Sequence, residues 1–403
     1  GTTYREMGDY DKAMEIYIPA LKQADELRDN KGISGSLNSI GAVQYYKGDY
    51  EKALEYYDRA LAKCEELGDK DGMGHNLNSI GNVHSNKGYI DTALDYFDRS
   101  LAIHEELGDK YRMGFTLNNI GLVHSNKGDL DTALDYFDRS LAIHEELGDK
   151  RGMGYSLSNI GILHMYKGDY DKALDYYESS LAIAEELGDK RGIAITLFNI
   201  GLVHKNKGDY DKALDYYGKS LTICEELGDK RGRGYSLNNI GNVYLIQGNY
   251  DAALEYFERS LIIREELGDK DGMGHSLNNI GIVHSDKGDY EKAVDYLEKS
   301  LAIQKEIGYK ILELFTTTYL YLTYKHLGKE FDVNQVHSLV KDSENIEFEI
   351  NHRLYELLED TSYLETAYNQ VQEKVDNLEP DVKAKFLRYP IPKAIVEEWE
   401  KVK

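Results

Sequence analysis

The fold class this sequence predicts is all-α: a solenoid of antiparallel helix pairs, and three observations predict it. Glycine recurs at Gly8, Gly48, Gly88, Gly128, Gly168, Gly208, Gly248, Gly288 and Gly328, so a unit of 40 residues repeats along nearly the whole chain without an insertion. Within each unit, apolar and small residues keep the three-and-four spacing of a helix face. Between Pro19 and Pro380 no proline interrupts a helix. A fixed period means that each unit contacts mainly its neighbours and the core grows lengthwise, so 403 residues do not imply two or three globular domains.

Residues 1–30 are a truncated first repeat, the end of one helix and a second helix. Gly1 lies 40 residues before Gly41 in the same column, so the chain is expected to start halfway through a helix and the natural protein to extend upstream. Residues 31–310 hold seven complete units. In the unit 190–229, Ile193, Leu197, Ile200, Gly201 and His204 mark the first helix and Lys207-Gly208-Asp209 breaks it. Tyr210, Ala213, Leu214, Tyr217, Leu221 and Leu227 mark the second, which Gly228 closes as a left-handed residue. Residues 311–379 read as degenerate repeats: 311–327 loses the Leu-x-x-Ile-Gly signature, and 345–360 with 362–378 form a last helix pair that covers the final apolar face. Residues 380–403 are a capping segment. There Phe386, Leu387, Tyr389, Ile391, Ile395, Val396 and Trp399 carry the apolar surface to pack back on that pair, with Pro390 and Pro392 as an extended bridge between two short helices.

Columns of equivalent residues separate packing from other roles. Gly41, Gly81, Gly121, Gly161, Gly201, Gly241 and Gly281 form one column, and the alanines from Ala53 to Ala293 lie opposite, so two helices approach closely. Tyr57, Phe97, Phe137, Tyr177, Tyr217, Phe257 and, in the last unit, Leu297 supply the bulky partner. This set of slots resembles the tetratricopeptide repeat over roughly residues 1–310. The unit is six residues longer than the usual 34, and Leu-Gly-Asp-Lys replaces the usual junction proline. The longer form is similar to the repeats of Pins-type spindle adaptors, Rap-type bacterial regulators and kinesin light chains. That resemblance implies a right-handed superhelix whose first helices line a concave groove for peptides or partner proteins. The lysines with which related repeats clamp chaperone tails are missing, because the equivalent column carries Asn, Ser or Phe. The segment 386–399 is similar to tails that end repeat regions in large bacterial signalling proteins.

The formal charge of −24 disfavours a nucleic acid or an anionic membrane as partner and fits a neutral or basic protein. No apolar run approaches the roughly 20 residues that span a bilayer, and no leader opens the chain, so a soluble, cytoplasmic protein is expected. Cys64 and Cys224 share one slot four units apart and are expected to be free thiols. His84, His124, His164, His204 and His284 recur once per unit, too far apart to converge on a metal, and read as packing residues. No nucleophile–base signature, phosphate-binding glycine loop or Cys-x-x-Cys occurs, so neither an enzyme nor a cofactor is expected. Acidic residues of the second helices, such as Asp175, Glu178 and Glu185, read as a solvated face.

The candidate site is an asparagine ladder on the first helices. Asn38, Asn78, Asn118, Asn238 and Asn278 share one column, interrupted by Ser158 and Phe198; Asn119, Asn159, Asn199, Asn239 and Asn279 share the next. A carboxamide offers one acceptor and two donors, which matches a peptide group, so the ladder can hold an extended backbone; the second column can instead bond a neighbouring helix. One turn before the ladder stand His75, Phe115, Tyr155, Ile195, Tyr235 and His275; one turn after it stand Asn82, Leu122, Ile162, Leu202, Asn242 and Ile282. The middle units, with Phe198 and Met165, offer an apolar anchor between polar flanks. Such a patch can equally pack against another part of a parent protein. The reading is a non-catalytic scaffold binding a partner segment; the alternative is a sensor or regulatory arm of a larger signalling or defence protein with a catalytic or nucleotide-binding domain upstream.

Overall fold

A computed structural model describes residues 10–308, 310–343, 346–376, 378 and 380–403. Gly1 and Gly8, and with them the expected half-helix start, lie outside the described residues, as does Asn345. Among the described residues every regular element is a helix. The chain divides into two compact units, residues 1–187 and 188–403.

Unit 1 holds α1 (Tyr10–Glu26) and four pairs: α2 (Asn30–Tyr46) with α3 (Tyr50–Leu67), α4 (Lys70–Asn86) with α5 (Ile90–Leu107), α6 (Lys110–Asn126) with α7 (Leu130–Leu147), and α8 (Lys150–Tyr166) with α9 (Tyr170–Leu187). Unit 2 continues with α10 (Lys190–Asn206) and α11 (Tyr210–Leu227), α12 (Lys230–Ile246) and α13 (Tyr250–Leu267), then α14 (Lys270–Asp286) and α15 (Tyr290–Ile307). The Leu-Gly-Asp-Lys junction performs two local tasks that a proline cannot. Gly228 ends α11 in the left-handed region at φ 67°, and Asp229 caps α12 by accepting from the Gly232 amide at 3.0 Å.

Within a pair the glycine column faces the aromatic column directly. A Cβ on Gly121 would lie 2.6 Å from Cε1 of Phe137, so no larger residue fits without moving the ring. A serine pins the same helices: Ser140 donates to the Gly114 carbonyl at 2.8 Å, and Ser220 to that of Ala194 at 2.8 Å. A third tie is a ring stack not anticipated from the sequence. His124 lies on Tyr136 at 5.5 Å and His204 on Tyr216 at 5.4 Å, and the Arg139 and Lys219 cations cover the outer faces of those tyrosines. The histidine column is therefore a packing column, with Nδ1 of His164 3.2 Å from Asp169. Cys64 and Cys224 are buried free thiols.

Unit 2 ends in α16 (Lys310–Leu327), α17 (Val333–Lys341), α18 (Phe348–Leu358), α19 (Thr361–Asp376), α20 (Pro380–Phe386) and α21 (Pro390–Val402). Three features differ from the sequence expectation. Helix α17 was not anticipated. Pro390 and Pro392 lie in the first turn of α21 and not in a bridge, because that turn needs no amide hydrogen there; only Tyr389 before them is extended, at ψ 149°. Finally, the capping segment packs on the α18–α19 pair, with Phe386 against Phe348 and Trp399 against Tyr368, but it also joins a core shared with Tyr210, Tyr217 and Leu237 of the repeats.

Candidate binding face

The first helices of each unit present the predicted columns on one flank, the ladder face, but the carboxamides are largely engaged with one another. Asn119 donates to Asn78 at 3.1 Å and Asn159 to Asn118 at 3.0 Å, each bond joining one helix to the next first helix. Asn38 donates to the buried Asn76 at 2.8 Å and accepts from His75 at 3.2 Å. In unit 2, Asn279 donates to Asn238 at 3.3 Å and to Asn242 at 3.0 Å, while Asn239 donates to the Tyr235 carbonyl at 3.1 Å. Asn118 and Asn278 are buried; Asn278 accepts from Thr316 at 2.8 Å and donates to Asn279. The ladder is thus first an inter-repeat zipper. The bonds from Asn119 to Asn78, from Asn159 to Asn118 and from Asn279 to Asn238 use the oxygen of a first-column carboxamide and leave its amide hydrogens to be used elsewhere.

Around the zipper, Tyr155, Ile195 and Tyr235 are about half exposed, and Leu122 is exposed. Asn82, Asn199, Asn242 and His275 are half-buried. Phe115 packs on His144 at 4.9 Å, Phe198 on Tyr217 at 5.3 Å, and Met165 is buried.

The two units differ at the C-terminal ends of these helices. In unit 1, Tyr46, Asn86, Asn126 and Tyr166 form an exposed column. In unit 2 the same column, Asn206, Ile246 and Asp286, is withdrawn from solvent, because α18 to α21 lie there. Arg353 of α18 donates to Asp286 at 2.7 Å and to Glu356 at 2.8 Å, and its cation sits over the Tyr319 ring, whose hydroxyl donates to Glu349 at 2.8 Å. Burial pushes Asp286 above the usual carboxylate range against the pull of Arg353. Burial also lowers the Lys205 ammonium, which the carboxylates of Glu347 and Glu349 support. Lys205 and Asp286 replace Ser85 and Asn86 of unit 1.

Among the described residues no group of three His, Cys, Asp or Glu side chains could hold a metal, and no helix is long and apolar enough to cross a membrane.

A family profile described as tetratricopeptide repeat matches residues 1–66, 72–146, 152–226 and 233–306, well over half of the chain. The chain belongs to the tetratricopeptide-repeat family. No curated protein is similar to it in sequence at a significant level. Among solved structures, it is similar to the apo form of the quorum sensor NprR from B. thuringiensis, with 17% identity and a TM-score of 0.57 over 83% of this chain and 98% of that one. Aspartyl phosphate phosphatase F from Bacillus subtilis is 16% identical, with a TM-score of 0.53 over 70% of this chain and 74% of that one. A putative kinesin light chain from Podosopora anserina is 16% identical, with a TM-score of 0.41 over 48% and 95%. At these identities the likeness is one of fold. The match joins this tetratricopeptide-repeat chain to a family of protein-interaction modules and to no catalytic family.

Proposed function

We propose that this tetratricopeptide-repeat protein is a non-catalytic scaffold that holds an extended partner segment on the ladder face of unit 1. One observation carries the reading. Across the six columns that begin at Gly35, Asn38, Ser39, Ala42, Tyr45 and Tyr46, the four first helices of unit 1 carry no Asp, Glu, Lys or Arg, in a chain whose composition is 30% charged. A solubilising surface would not be built that way. Asn78, Asn82 and Asn126 offer carboxamides to a backbone, and Leu122, Tyr155 and Tyr166 offer exposed apolar surface for one anchoring side chain. The segment that fits is uncharged where it touches, with basic residues only outside the face, where the chain's net charge of −24 attracts them. Neither nucleic acid nor a membrane suits such a surface.

The test pans a random peptide display library against the intact chain and against Asn82→Ala, Leu122→Ala, Asn126→Ala combined. Uncharged peptides with one aromatic or aliphatic anchor should be enriched, bind equally at low and high salt, and be lost on the triple variant while helicity and melting stay unchanged. Enrichment of strongly charged peptides, or equal binding by the variant, rejects the reading.

A further inference from the structure

A second surface, in unit 2, stands independently of the unit 1 face. At several repeats an acid at the start of a second helix clasps a lysine that follows the next first helix. Glu51 meets Lys87 at 2.5 Å, Asp131 meets Lys167 at 2.5 Å, and Asp251 meets Lys287 at 2.6 Å. Asp211 has no such lysine, because the position holds Gln247. Its carboxylate receives Lys385 of α20 instead, at 2.6 Å. Gln247 hydrogen-bonds to the Tyr389 hydroxyl. The Tyr389 ring meets that of Tyr210 edge to face at 5.0 Å, and Pro390 packs on Gly248, where a Cβ would lie 2.9 Å from its Cγ. Behind these contacts Phe386 and Ile395 are fully buried.

The contacts that pair the helices of the repeats beneath are made without this segment. Their serine bond, their histidine stack and the contact of Gly201 with Tyr217 match those of α6 and α7 in unit 1. The segment 380–403 is therefore bound to a surface that is already formed.

We propose that Tyr210, Asp211, Gln247 and Gly248 form a peptide-recognition site for a Lys-Phe-x-x-Tyr-Pro segment. The chain's own Lys385, Phe386, Tyr389 and Pro390 fill it in cis, and a partner segment with the same pattern displaces them. Tethering gives the cis segment an effective concentration of about a millimolar. A competitor must exceed that, which sets a threshold on exchange.

The test uses the full chain and a dye-labelled synthetic peptide of residues 380–403, followed by fluorescence anisotropy. Phe386→Ala in the chain empties the anchor pocket of the cis segment, and this variant should bind the peptide at least about tenfold more tightly than the wild type does. Adding Asp211→Lys should return binding to the wild-type level or below. Hydrogen exchange of 380–403 reads release directly, and Gln247→Lys, which restores the array's clasp and leaves every buried residue in place, should speed it too. A released segment without peptide binding, peptide binding indifferent to Asp211→Lys, or a segment whose exchange neither Phe386→Ala nor Gln247→Lys accelerates would each overturn the proposal.

Discussion

The exposed column of unit 1, Tyr46, Asn86, Asn126 and Tyr166, and its covered counterpart in unit 2, Asn206, Ile246 and Asp286, come from the same 40-residue repeat. Their internal packing is alike: glycine against an aromatic ring, serine to a carbonyl, histidine or tyrosine on tyrosine. What separates them is a handful of substitutions on one flank, at Lys205, Ile246, Gln247 and Asp286, which meet α18 to α21. In a solenoid, whose stability is the sum of repeats and neighbour contacts, such substitutions change what a face binds without disturbing how it folds.

The largest expected effect attacks the covered face. Arg353→Ala leaves Asp286 without its cation in a site where both side chains are mostly shielded from water, and should cost about 3–5 kcal/mol of local stability. Hydrogen exchange should accelerate in α14 and α18 while amides of α4 to α7 keep their protection. Uniform acceleration through both units would mean that the contrast between the faces is not local.

Acidification probes a slot between successive repeats. His104 and His144 in unit 1 are buried, and desolvation lowers both below the ordinary histidine range against the pull of Asp109 and Asp149. Because the unfolded chain binds protons to these groups first, at about pH 6.5, their burial as neutral rings costs stability as the pH falls below that value. The same slot holds Cys224, Arg264 and Gln304 in unit 2. Replacing His104 and His144 by glutamine should therefore flatten the loss of melting temperature between pH 7 and pH 5, measured by circular dichroism. An unchanged slope would assign the pH dependence to other groups.

These contrasts were legible in the sequence to different depths. The helix pairs, the left-handed caps and the ladder columns follow from a local period, which one chain displays many times over. The bonds from Asn119 to Asn78 and from Asn159 to Asn118 do not, since a column shows which residues are equivalent and not which way each carboxamide turns. The capping segment was read as apolar enough to dock, but Lys385 reaches Asp211 across 174 positions, and no period carries that information. A signal was nevertheless present: Gln247 breaks a lysine column and Asp286 breaks a column of uncharged residues. Departures from a repeat are where such a chain records its long-range contacts.

A smaller effect, of equal sign in the two units, tests the shared packing. The Tyr177 and Tyr217 hydroxyls are buried with no partner among the described residues, and burial pushes both far above the ordinary phenol range. The column holds phenylalanine at Phe97, Phe137 and Phe257. Tyr177→Phe and Tyr217→Phe should each raise stability by about 1 kcal/mol in urea melts. A gain in only one of them would show that the two units do not pack alike.

The smallest effect sharpens the comparison most. Lys167→Gln in unit 1 reproduces the break that Gln247 makes in unit 2 and strands Asp131, whose partner is 2.5 Å away. Both groups of that pair reach solvent, so the loss should be at most about 1 kcal/mol. What matters is whether the freed acid changes the face. If a single clasp decides docking, the labelled 380–403 peptide should acquire weak affinity for unit 1, next to Leu130, which stands where Tyr210 does in unit 2. Position 168 is also glycine, so Pro390 would find the same space there. Unit 1 has no equivalent of the Tyr210 ring at that site, whereas Tyr166 stands in the column of Ile246. Binding after Lys167→Gln alone would therefore place recognition in the clasp and the turn. No binding would place it in the clasp together with the aromatic edge that Tyr210 offers, and the double substitution Lys167→Gln, Leu130→Tyr would then be required to create the second site.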